Sequence, residues 1–127
     1  MTRGEVLALK DESEQRPIPT AWRQLFRDVV ASFVKGDYCQ NGMPGLEPVP
    51  SETARHIQTY IQDYGATLVE LPDETWESSV CMWYGDHWDV LVDLWTSAEG
   101  PSDLVLSARV KETMDGFAVT IDMVYVP

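Results

Sequence analysis

Two histidines, two cysteines and 21 carboxylates supply the groups in this sequence that could do acid–base or covalent chemistry. His87-Trp88-Asp89 puts an imidazole and a carboxylate on one face if the segment is a strand, because side chains alternate with a period of two. Asp93 follows on the same face, but four residues of strand separate it from Asp89 by roughly 13 Å. Carboxylate pairs that cleave glycosides stand about 5–9.5 Å apart, so this pair fails as acid and base. Cys39 has no histidine or cationic neighbour in sequence to favour a thiolate, and Cys81 falls on an apolar face, where thiols are inert. Ser78 and Ser79 belong to no nucleophile elbow, and Gly42-Met43-Pro44-Gly45 lacks the Lys-Ser/Thr of a phosphate-cradling loop. Two cysteines build neither a disulfide framework nor a four-ligand zinc site. His56 lies alone on the polar side of a helix. The expectation is no catalytic residue, no metal and no cofactor, with an enzyme kept as an alternative only if a pocket brings His87 or His56 to convergent carboxylates.

Charge narrows the partners. Nine Lys and Arg oppose 21 Asp and Glu, for a net charge of −12. Residues 51–127 carry fourteen of those acids and only three basic residues, and no Lys or Arg occurs between Arg55 and Arg109. Affinity for nucleic acid comes largely from cations displacing counterions, so this surface repels phosphate backbones and anionic membranes. It would instead speed encounter with a basic partner.

The 127 residues are one domain's worth of chain, able to bury about two-thirds of the surface of the unfolded state. At 44% hydrophobic, the chain is not disordered. No apolar run nears the ~20 residues of a membrane span, and Met1-Thr2-Arg3-Gly4-Glu5 does not open a secretory signal. A cytoplasmic protein is the expectation. Residues 1–17 have tail-like composition. Thr20 then suits a helix start, with Trp22, Leu25, Phe26, Val29, Val30 and Phe33 on one face and Gly36 at the end. Residues 38–50 form a Gly- and Pro-rich loop. Ser51 opens a second helix with Ala54, Ile57, Tyr60, Ile61 and Tyr64 as its buried stripe and Gly65 as its stop.

From Trp76 the period changes to two, in four runs: Trp76–Tyr84, His87–Thr96, Ser102–Glu112 and Phe117–Val126. Short connectors force antiparallel neighbours. The predicted fold is α+β: two amphipathic helices on one face of a four-stranded antiparallel meander, or a five-stranded one if an N-terminal or 67–71 segment joins. A Gly85-Asp86 turn sets Met82 opposite Asp89, Val80 opposite Leu91 and Trp76 opposite Trp95. The following connectors set Asp89 opposite Arg109 and, for an Asp115-Gly116 turn, Arg109 opposite Asp122. One face then collects Trp83, Trp88, Val90, Val92, Leu94, Leu104, Leu106, Ala108, Val110, Phe117, Val119, Ile121, Met123 and Tyr125, an apolar set that must meet the helices.

The opposite face is mixed. It carries Trp76, Val80, Met82, Tyr84 and His87, then Leu91 and Trp95, with Asp89, Asp93, Arg109 and Asp122 as its charged members. Arg109 between Asp89 and Asp122 keeps both ionised, which suits a salt-bridge ladder and not proton transfer or a metal. Aromatic residues on a bare face favour an interface. These eleven residues are the candidate interaction face.

The runs WESSVCMW (76–83), WDVLVDLWT (88–96) and SDLVL (102–106), with IPTAW (18–22) and VYVP (124–127), resemble a family of small acidic bacterial proteins of unknown function. The likeness covers most of residues 17–127 and implies no activity, cofactor or site residue. The leading expectation is a non-enzymatic protein-binding module, such as an immunity-type inhibitor of a basic partner. The alternatives are a homodimer that buries the mixed face against itself, and an enzyme with a loop–sheet cleft.

Overall fold

A computed structural model describes residues 5–39 and 42–127; residues 1–4 at the start and 40–41 within the 38–50 loop lie outside it. The described chain forms β1 (Arg16–Pro17), α1 (Thr20–Val34), α2 (Ser51–Tyr64), a 3-10 helix (Asp73–Glu77), β2 (Val80–Trp83), β3 (Trp88–Thr96), β4 (Gly100–Thr113) and β5 (Gly116–Tyr125). The strands make one antiparallel sheet in sequence order. The fold is therefore α+β, with the five-stranded form of the meander. Its fifth strand is Arg16–Pro17, paired to Cys81 and Val80, and not residues 67–71, of which only Leu68 bridges to Thr96.

The inner face is dry. Trp88, Val90, Val92 and Leu94 of β3 and Leu104, Leu106, Ala108 and Val110 of β4 are buried against Trp22, Phe26, Val29, Val30 and Phe33 of α1 and Ala54, Ile57 and Ile61 of α2. Fully burying each such aliphatic or aromatic side chain contributes about 1.5–3 kcal/mol, which is why period 3.6 in the helices and period 2 in the strands converge on one layer. Gly65 ends α2 in the left-handed conformation (φ 83°), a backbone that a side chain disfavours. Trp22, Trp83, Trp88 and Phe117 close one end of the layer in edge-on and tilted contacts, with centroids 4.5–6.1 Å apart.

Residues 5–17 are tied to this end. Thr20 donates its amide to the Val6 carbonyl and accepts the Val6 amide on Oγ1. Trp88 Nε1 donates to the Leu9 carbonyl at 3.0 Å, and Lys10 pairs with Glu112 while lying over the Trp83 ring. The 45–47 stretch of the long loop also has a structural part. Val119 donates to the Gly45 carbonyl and accepts from the Glu47 amide, both at 2.8 Å, so the loop caps the edge of β5.

Several placements differ from the sequence reading, among them a β3–β4 connector shortened to residues 97–99 with a bulge between Asp93 and Trp95. Trp76 belongs to the 3-10 helix and not to a strand: Pro72 and two following acids suit a helical start, and the ring is buried beside Arg23 and Arg27 of α1. It therefore does not face Trp95 on the outer sheet. The β4–β5 turn is Met114-Asp115, one residue early, because Gly116 already opens β5 at φ 147°. Arg109 consequently pairs with Thr120, not Asp122. Finally, Ala108 pairs with Ile121 while Ser107 pairs with Met123, so Asp122 is an extra bulge residue. The bulge flips the faces beyond it. Val124 is buried, and Met123 and Tyr125, expected inside, turn outward.

Candidate functional site

Among the described residues no helix crosses the outer face of the sheet; Asp89 and Arg109 stand exposed upon it. Six of the eleven expected face residues meet around one groove of about 250 Å³: Val80, Met82, Tyr84, Asp89, Leu91 and Asp122. Val80 pairs with Leu91, and Leu91 with Ser107, so an apolar floor runs across β2 and β3 to β4. Tyr125, turned out by the bulge, closes the far side, and Gln15 lies at the β2 edge. Sequence patterning misses Ser107, Tyr125 and Gln15. Only a bulge at Asp122 explains Tyr125, and nothing in the alternation announces it.

The charged groups around the groove are fixed by local bonds. Arg109 donates from Nε (3.2 Å) and Nη2 (2.9 Å) to the Asp122 carboxylate, and that bond raises the guanidinium's pKa. The imidazole of His87 sits between Asp86 at Nδ1 and Asp89 at Nε2 (2.9 Å). The hydrogen bond from His87 lowers the pKa of Asp86. Tyr84, 55% exposed, stacks on the His87 ring with its amide bonded to the His87 carbonyl at 2.8 Å.

The remaining expected residues serve the fold. Asp93 accepts the Ser78 hydroxyl, donates its amide to Ser79 Oγ (2.9 Å) and gives its carbonyl to Thr75 Oγ1 (2.6 Å). It clasps the 3-10 helix to β3. Trp95 is half-buried, its carbonyl takes the Val69 amide, and its buried Nε1 has no hydrogen-bond partner among the described residues. Trp76 lies off the face, as described above. Cys81 is buried with its thiol directed to the Pro17 carbonyl, and burial pushes its pKa up to about 11. A thiol so placed is no nucleophile.

A second hollow, of about 420 Å³, lies between α2 and the end of β5, on the other side of Asp122. It brings His56 to the same cleft as Asp63 and Asp122, the lining that an enzyme reading requires. Among the described residues no group of three or more His, Cys, Asp or Glu side chains could hold a metal ion, and no helix is long and apolar enough to cross a membrane.

The chain belongs to a family described as a domain of unknown function (DUF7668), whose model matches residues 30–127. No curated protein and no solved structure matches it.

Proposed function

We propose that this member of the family is a non-enzymatic protein-binding module that receives a basic partner on the outer face of its sheet. An immunity-type inhibitor of a cationic toxin or nuclease, working in the cytoplasm, is the concrete form of this reading. The observation that carries it is the groove: an apolar floor of Val80, Leu91 and Tyr125 between the carboxylates of Asp89 and Asp122, on the face the helices leave bare. A lysine or arginine side chain suits that shape, its alkyl stem on the floor and its charged head at a carboxylate. His87 and Arg109 already orient the two acids, so little ordering is left for the moment of binding. The net charge of −12 steers a basic protein toward the chain and keeps nucleic acid and anionic membrane away.

Crosslinking and capture from the native host at low and high salt test this, with Asp89→Lys and Leu91→Glu as controls. The expected result is a basic protein retained at low salt, released at high salt and lost by both variants. Capture indifferent to salt, or unchanged in both variants, overturns the reading.

A further inference from the structure

Tyr60, Met123 and Val126 remain 38%, 43% and 39% exposed, and all three border the hollows where α2 runs beside the end of β5. The 420 Å³ cleft and a smaller neighbour share Tyr60 and Asp63, so one groove follows α2 from Thr53 to Tyr64, about 17 Å at a helical rise. Along it Arg55, Thr59 and Asp63 form a single ridge at i, i+4 and i+8, all exposed and all lining the cleft. Among the described residues neither Arg55 nor Asp63 is in an ion pair. Arg55 is also the only Lys or Arg between Lys35 and Arg109.

We propose that this surface is a self-complementary interface whose occupant is α2 of a second copy of the chain. A two-fold axis passing Thr59 runs the two helices antiparallel. Arg55 and Asp63 each lie four residues from Thr59, so the axis sets Arg55 of each copy against Asp63 of the other. Thr59 is small enough for the helices to approach, and Tyr60 and Met123 from both copies close over the crossing. Such an isologous contact satisfies itself and stops at two. The remaining surface is strongly acidic, so two copies repel one another in most other orientations, and the Arg55–Asp63 pairs select this one. Val80, Leu91 and Asp89 stay uncovered, because they lie beyond Asp122 on the outer face.

Sedimentation velocity from low micromolar to near-millimolar protein at physiological salt tests the assignment. A monomer–dimer equilibrium is the expected result. Arg55→Asp or Asp63→Arg alone turns two attractions into repulsions and weakens association about tenfold or more. The two changes combined restore it. Leu91→Glu on the outer face leaves it unchanged. A chain that sediments as a monomer throughout overturns the proposal, as does association that the double variant fails to restore or that Leu91→Glu abolishes.

Discussion

Arg109 holds Asp122 at 2.9 Å although the ladder pairs Arg109 with Thr120. The acid lies two residues beyond Thr120 on the same face, a diagonal neighbour that a long guanidinium side chain reaches, and it is also the extra residue of a bulge. A bulge adds a residue to one strand, and every side chain beyond it changes face. Val124 thereby enters the core and Tyr125 reaches the outer groove. Asp122 thus both pairs with Arg109 and marks the irregularity that turns Tyr125 outward.

Inserting an alanine between Met123 and Val124 should therefore cost far more than neutralising Asp122. The insertion would turn Val124 out, forfeiting a buried aliphatic side chain worth about 1.5–3 kcal/mol and misfitting the layer beneath. Asp122→Asn removes only a partly exposed pair and should cost about 0–1 kcal/mol. Deleting Asp122 keeps Met123 opposite Ser107 and Val124 opposite Leu106, so it spares the buried layer. Urea unfolding of the insertion and the Asn variant checks the contrast. Equal losses would mean that the faces beyond Ile121 are not fixed by this register.

Trp76 gives a second contrast between positions. On an open sheet face its truncation would change stability by less than about 0.5 kcal/mol. Buried between the 3-10 helix and α1, with Arg23 and Arg27 each 5.5 Å from its ring centroid, Trp76→Ala should cost about 3–5 kcal/mol. Thermal or urea unfolding measures this directly.

The places where sequence patterning succeeds and fails have physical causes. Hydrophobic period fixes which face of α1 and of β3 is buried, because a one-residue slip would expose Trp88, Val90 and Val92 together. Two-residue hairpin geometry fixes Met82 opposite Asp89 and Val80 opposite Leu91. Alternation misplaces Trp76 because a five-residue 3-10 turn is too short to show a period, and its tryptophan continues the alternation of the strand after it. It misplaces Tyr125 because a bulge changes pairing without changing composition. The α2–β5 cleft escapes the pattern for another reason: Tyr60 belongs to the apolar stripe by spacing, yet it stands at the margin of the sheet, where its hydroxyl accepts the Val126 amide and the ring stays exposed.

The two cysteines should react very differently. Cys39 is exposed and Cys81 buried, so a maleimide should modify one thiol in the folded chain and two in denaturant. Burial raises the Cys81 pKa from 9.0 to about 11, so the folded state favours the neutral thiol more than the unfolded state does. Its contribution to stability is complete below pH 9 and is lost as pH rises toward 11. Cys81→Ala should remove that part of the alkaline loss, as read from urea midpoints across this range.

The acid limb should begin at the N-terminal segment. Asp11 accepts the side-chain and backbone hydrogen bonds of Ser13 and a bond from Arg16 Nη2 at 2.6 Å, and together these lower its pKa to about 2. A depressed carboxyl stabilises the fold above its ordinary value of 3.8, and that contribution is lost as pH falls from there toward 2. Because Asp11 joins the Arg16 of β1 to the stretch that carries Leu9 and Lys10, its protonation should loosen the contacts of that stretch with Trp88 and Trp83. Tryptophan fluorescence and the Trp88 indole N–H resonance should change over this interval before the sheet unfolds. In Asp11→Asn the early step should be absent and the indole signal already shifted at neutral pH. An indole signal that changes only with global unfolding would show that Asp11 does not anchor the segment.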